Sequence, residues 1–284
     1  MRFGIVEVPE ERVPTWIRDR ITYRRLVGVG VAWLVLLFVV PVVVLLFESL
    51  NLEGGEGIFV NYRNALSGVW LMTLARTFYY ALLTTFACLV LGYAFAYYVA
   101  FRTRRRIVFL ALVALPLWVA IIIRYFGVAL FFLPTGPFVG VFGSDFGILF
   151  NTPGVIVGLT SALLPFAILP IYNSLRSIDE EMIHASRVLG AGQLRTVYEV
   201  IWPMSLSGVV AATLFVYILA AGSFLAPAIL GGSGNFMMAN VIEQTFGYAM
   251  GLGSALAVVF TVSLLVLIAA FNRFVNISEV LGDL

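Results

Sequence analysis

The chain has 284 residues, 62% of them hydrophobic and only 11% charged, with a mean hydropathy of +1.04. Ordinary soluble domains carry roughly a quarter charged residues, so the composition excludes a soluble globular protein and makes lipid the solvent for most of the chain. A net charge of +2 on dispersed arginines argues against a nucleic-acid surface, and the lone Cys88, set in an apolar run, leaves no disulfide framework or cysteine metal cluster.

Residues 1–25 form a polar tail in which Arg2, Arg12, Arg18, Arg20, Arg24 and Arg25 mix with Glu7, Glu10, Glu11 and Asp19. It is not a secretory signal, because the apolar run behind it is too long for a signal h-region. Two readings stay open: a short amphipathic segment on the membrane surface, or a frayed basic tail that only sets topology. Six apolar stretches then reach the ~20 residues that a helix needs to cross ~30 Å of hydrocarbon. They are Leu26–Phe47, Met72–Ala100, Ile107–Leu133, Pro153–Leu175, Leu206–Leu230 and Leu252–Phe271. The runs are continuously apolar rather than alternating, and backbone groups in lipid must be satisfied within the segment, so helices are expected and a barrel is not. Pro41, Gly92, Pro116, Pro165 and Pro170 predict kinks and close helix contacts within them.

The expected fold is an all-α membrane protein with a six-helix domain over residues 26–275 and a short tail at 276–284. Arginines set its orientation. Six lie in the N-terminal tail, and Arg102, Arg104, Arg105 and Arg106 follow the second span. Arg176, Arg187 and Arg195 lie in or beside a later polar block, and Arg273 ends the sixth span. The positive-inside rule then places both termini and the polar block in the cytoplasm, with Glu48–Leu71 and Pro134–Thr152 facing out. Residues 231–251 open on a Gly-rich piece and continue too polar to span and too apolar for a simple loop. A re-entrant or outer-surface segment is expected there.

The polar block, residues 177–208, is the exception in this chain. Asp179, Glu180 and Glu181 favour a helix N-terminus, Ile183, Val188 and Leu189 supply an apolar side, and Gly190 ends or turns the helix. A second helix is expected from about Gln193 to Trp202, with Pro203 opening the fifth span. The spacing predicts a rigid knob clamped between two spans.

The run His184-Ala185-Ser186, three residues, Gly190, nine residues, then Val200-Ile201-Trp202-Pro203, resembles the EAA loop of bacterial ABC importer permeases. His184 stands where that pattern has glutamate, Ser186 replaces its second alanine, Val200 its isoleucine and Trp202 its leucine. The resemblance extends over residues 25–275 and is closest to spermidine/putrescine-type permeases. Leu115-Pro116-Leu117-Trp118 before Ile123-Arg124-Tyr125 carries it, as do Leu164-Pro165-Phe166, Leu169-Pro170-Ile171-Tyr172 and Gly222-Ser223-Phe224 through Pro227 to Gly232. It implies that Glu181, His184, Ala185, Ser186, Leu189, Gly190 and Pro203 belong to a coupling loop seated on an ATP-hydrolysing subunit.

Arg124 is the most informative candidate for the substrate path. On an unbroken third span it would lie ~26 Å from the cytoplasmic end, where a charge faces a cavity or partner, or snorkels to the headgroups. Tyr125, Tyr172, Asn173 and Ser223 are further candidates for that path. Glu243, in the re-entrant segment, is expected to neutralise a cationic substrate, pair with Arg124 or point to outer water. Polyamine permeases often carry acids at the positions of Ser223 and Ala228, so polyamine, amino-phosphonate, opine-like and other small polar ligands all stay open.

Without lysine there is no GxxxxGK phosphate loop, so the chain does not hydrolyse ATP by that mechanism. The resemblance implies ATP and Mg on two partner ATPase subunits, and no cofactor or metal on this chain. It further implies a second, different permease subunit and a periplasmic or lipid-anchored binding protein, in a bacterial inner membrane. Two other classes remain: an ion-coupled carrier, which needs buried ionisable groups at midplane, and a membrane scaffold without transport.

Overall fold

A computed structural model describes residues 23–50, 57–144 and 146–275, and every regular element among them is helical. Both tails expected from the sequence lie essentially outside the described residues. α1 spans Tyr23–Ser49, α2 Val60–Ala65 and α3 Gly68–Phe101. α4, Arg106–Ala114, runs into a 3₁₀ turn at Leu115–Trp118, and α5 (Ile121–Phe132) and α6 (Pro137–Phe142) follow. α7 covers Thr152–Ser177 and α8 Glu180–Val188. α9, Gln193–Met204, contains a π turn at Val197–Ile201 and meets α10, Leu206–Ala221, at a 62° bend. α11 (Leu225–Leu230), α12 (Met238–Phe246) and α13 (Met250–Val275) complete the chain.

Among the described residues, five helices are long and apolar enough to cross a membrane, or six if the bent pair α9 and α10 forms one span. Two of the expected spans are broken. The third stops at Pro116, whose ring nitrogen cannot donate to Leu112, and the backbone is extended at Val119 before α5 restarts. Arg124 therefore sits in the first turn of α5 rather than deep in one straight helix. The fifth ends at Ala221: the chain turns through Gly222–Phe224, and Pro227 cannot continue the α10 hydrogen-bond ladder.

The centre is the trio α3, α7 and α10. Lipid tails are as apolar as leucine, so helices associate there through close packing, which small residues permit. Ala81, Cys88, Ala96 and Ala100 on α3 meet Ala167, Ile168 and Ile171 on α7 and Ala212, Val216 and Ala220 on α10, all buried. The tightest approach is Gly208, where a Cβ would lie 2.5 Å from Ser174 Cβ and 2.6 Å from the Pro170 carbonyl oxygen. Around this trio α13 packs on α12, α1 and α2, while the apolar stretch of α1 leaves no residue buried within the chain.

The Gly-rich piece is no loose linker. Tyr80 OH donates to Asn235 Oδ1 (2.8 Å) and hydrogen-bonds Thr152 Oγ1 (2.7 Å). Arg76 Nη1 donates to the Gly234 carbonyl, and Thr77 Oγ1 accepts from the Met238 amide (2.8 Å). Asn240 Nδ2 donates to the Phe224 carbonyl (2.7 Å), satisfying the backbone at the α10–α11 break. Irregular backbone beside the spans is thus anchored to α3 and α12, as a low-dielectric setting favours.

The Gly208 contact sets a direct test. Gly208→Val should destabilise the solubilised protein by about 1–3 kcal/mol through overpacking. Gly127→Val, where a Cβ meets nothing within 4 Å, should leave the thermal midpoint unchanged.

Candidate functional site

Two sites emerge, one where α7 and α10 join the polar block and one beside the middle of α7 and the far end of α10. The first is the knob. Asp179 caps α8, its Oδ1 accepting the Glu181 amide at 2.9 Å. Ile178 and Ile183 turn inward onto Leu175, Ala100 and Ile201 and root the knob in the α3–α7–α10 core. Ser186 Oγ donates to the Ile183 carbonyl (2.9 Å) and lies 3.2 Å from Thr196 Oγ1, so α8 and α9 are stitched together across the turn. Gly190 takes φ +87°, a left-handed conformation that closes α8 with its amide donating to the Arg187 carbonyl at 3.0 Å.

The apolar side expected along α8 is divided. Ile183 is buried, but Val188 and Leu189 are each 88% exposed, as are Leu194 at 88% and Tyr198 at 77%. Residues five and six apart do not share a helix face, and Leu189 already lies past the last residue of α8. The result is a polar knob with an apolar tip. Glu181, His184, Ala185 and Gly190 are exposed on it, whereas Ser186 is half-buried. Pro203 lies exposed inside the last turn of α9, not at the head of the fifth span. The bend after it is held by Ser205, whose Oγ donates to the Trp202 carbonyl (2.9 Å) and meets Tyr93 OH at 3.1 Å.

The second site is a cavity of about 360 Å³ between α5, α7 and the α10–α11 break. It brings together three residues selected from the sequence: Arg124, Tyr125 and Ser223. Tyr125 is buried, and Ser223 shares the cavity lining with it. Arg124 is half-buried; its Nη1 donates to the Ala162 carbonyl at 3.4 Å, while its Nε is buried without a partner. The remaining wall is apolar and aromatic, with Leu159, Phe166 and Leu219, and no carboxylate lines it. The arrangement can hold a small polar solute against one fixed positive charge.

Three candidates do not join it. Tyr172 packs against the central core and Asn173 is exposed, both about 15 Å further along α7 than Ala162. Glu243 is exposed on α12, and among the described residues no ion pair links it to Arg124. The sequence reading also missed the anchor built by Arg76, Thr77, Tyr80, Asn235 and Asn240. A signal existed: Thr73, Thr77, Tyr80 and Thr84 recur at helical spacing and mark one polar face on an otherwise apolar α3.

A family model described as "Binding-protein-dependent transport system inner membrane component" matches residues 57–279. Among relatives, the spermidine/putrescine transport system permease protein PotB of Escherichia coli (strain K12) is 33% identical over 232 residues, covering 76% of this chain and 83% of its own. Among solved structures, a bacterial ABC transporter involved in import of the acidic polysaccharide alginate aligns with a TM-score of 0.76 at 15% identity, over 91% of this chain and 96% of its own. A bacterial alginate ABC transporter in complex with a pentasaccharide-bound periplasmic protein gives 0.69 at 15% identity, over 90% and 94%. At such identity these two likenesses speak for the fold. With the family match covering most of the chain, this protein belongs to the binding-protein-dependent transport system inner membrane components: it is a permease subunit of an ABC importer.

Proposed function

We propose that this permease carries a polyamine or a related small amino compound across the inner membrane by alternating access, driven by ATP hydrolysis on partner subunits. The knob carries the coupling half of the reading. It is rooted in the core by Ile178 and Ile183 and carries exposed Val188 and Leu189 at its turn. Apolar side chains held out on a polar element are suited to seating in a groove of another protein. In this reading Glu181, His184, Ala185, Ser186, Leu189, Gly190 and Pro203 form the contact. Two ATPase subunits hold the ATP and Mg, and this chain, which has no lysine for a phosphate loop, supplies none of the hydrolysis. A second, different permease subunit completes the path, a binding protein delivers the solute, and both termini lie in the cytoplasm, as the arginine distribution favours.

The name of the PotB relative supports a polyamine. On that reading the carboxylates that meet the ammonium groups come from Glu243 or from the second permease subunit, because the Arg124 cavity has none. The unpartnered Arg124 Nε supports a second reading: a zwitterionic amino compound whose anionic end is met by the guanidinium.

Two experiments test these proposals. Gly190→Val forces a β-branched residue into a left-handed backbone conformation at a strain of about 1–3 kcal/mol. The expected outcome is a fall of about tenfold in uptake per ATP hydrolysed, with membrane insertion unchanged. Unchanged coupling would contradict the docking assignment. Arg124→Gln separates the substrate readings: labelled spermidine uptake is expected to stay within about twofold for a polyamine importer, whereas zwitterion uptake should drop about tenfold, ~1.4 kcal/mol, if the guanidinium binds the anionic end.

A further inference from the structure

At the corner between α3 and α4, a pocket of about 300 Å³ opens between the base of the bundle and the knob. Its polar wall consists of Arg102 and Arg106 from that corner, His184 and Arg187 from α8, and Gln193 at the start of α9. Among the described side chains no carboxylate lines it, although Asp179 and Glu181 stand nearby on the same element. The position that is acidic in the E-A-A pattern is here His184, so the whole polar lining is basic or neutral. Arg106 Nε is buried and has no hydrogen-bond partner. A guanidinium N–H buried without an acceptor is costly, and an anion entering the pocket would remove that cost, while Arg102 and Arg187 stay exposed at its mouth.

The pocket does not end at its basic wall. A second cavity of about 370 Å³ shares Tyr97, Arg102 and Gln193 with it, and there the lining changes to Tyr93, Ala94 and Leu194. Tyr93 lies one turn, ~6 Å, further into the span than Tyr97. A cluster of arginines at the end of a spanning helix thus opens onto an apolar groove that climbs the helix into the bilayer. We propose that this composite site binds an anionic phospholipid, its phosphate held by Arg102, Arg106 and Arg187 and the start of its acyl chain along Tyr93, Ala94 and Leu194. Guanidinium groups match phosphate oxygens in a paired geometry, and basic pockets at this depth between spanning helices suit lipid headgroups. Free phosphate or an acidic side chain of a docked subunit would satisfy the same arginines, but neither has an apolar tail to fill the groove. The lipid bridges α8 to the α3–α4 corner, so the knob is held to the bundle partly by the membrane itself. This inference rests on the membrane-spanning fold and not on the docking proposal.

The test uses the full chain, with the subunits that co-purify, in nanodiscs of phosphatidylcholine alone or mixed with phosphatidylglycerol, and counts retained lipids by native mass spectrometry. Wild type is expected to retain phosphatidylglycerol about tenfold over phosphatidylcholine, and the Arg106→Gln/Arg187→Gln variant to lose that preference. Arg63→Gln, an exposed arginine on α2 away from the pocket, should behave as wild type. Absence of enrichment in wild type overturns the proposal, whether or not the variant folds. Equal enrichment in wild type and double variant overturns it too. If inorganic phosphate in phosphatidylcholine discs stabilises wild type as much as phosphatidylglycerol does, the ligand is free phosphate and the lipid assignment fails. If the double variant keeps its lipid preference but sheds a co-purifying ATPase subunit, the pocket serves protein docking instead.

Discussion

Close approach of α7 to α10 and α3 is the constraint on which the rest of this structure depends. In hydrocarbon there is no hydrophobic drive between helices, so contact needs backbones near enough for dispersion forces to act over a long seam. Gly208 against Ser174 and the Pro170 carbonyl, and the alanines of α3 and α10, allow that proximity. Both sites hang from it. α7 leads into α8 through Ile178, and α9 leads into α10 through the Ser205 bend, so the knob is the shared end of two tightly packed helices. The same helices border the Arg124 cavity, through Leu159 and Ala162 in the middle of α7 and the Gly222–Leu225 break after α10. The knob and two walls of the cavity are thus joined through α7 and α10.

The cavity has its own logic. A break after α10 leaves backbone groups that lipid cannot satisfy, and Asn240 supplies the Phe224 carbonyl with a donor. The same break puts Ser223 in one cavity lining with Tyr125, and the non-helical turn before α5 brings Arg124 to the first turn of a new helix. Irregular backbone, a buried tyrosine and a charged side chain thus converge in one place. Such features are expensive in a membrane and are tolerated where they line a path or are tied to protein.

Much of this was legible in the sequence. The apolar runs gave the helices because hydropathy over ~20 residues is a strong signal. The polar block stood out because charge is rare in this chain, and its turn at Gly190 follows from the residue itself. Pro116 was read as a kink within one span rather than a break, and the break at Gly222–Phe224 was not read, because an apolar run looks continuous on a hydropathy scale even where its backbone ladder is interrupted. That Tyr172 and Asn173 stand apart from the Arg124 cavity was not legible for a related reason: α7 is apolar on nearly every side, so periodicity does not reveal which face meets α3 or α10. The anchor from Arg76, Thr77 and Tyr80 to residues 234–238 joins positions more than 150 apart, a separation that no local pattern encodes.

The central claim is that the exposed tip of the knob is where an ATPase subunit seats. Its most direct test is photocrosslinking in the native membrane from a probe placed at Leu189, with Trp118, 91% exposed beside the spans, as the comparison site. The account predicts a covalent adduct between the Leu189 probe and an ATPase subunit, absent from the Trp118 probe. A chain that inserts normally and gives no such adduct from Leu189 would contradict it.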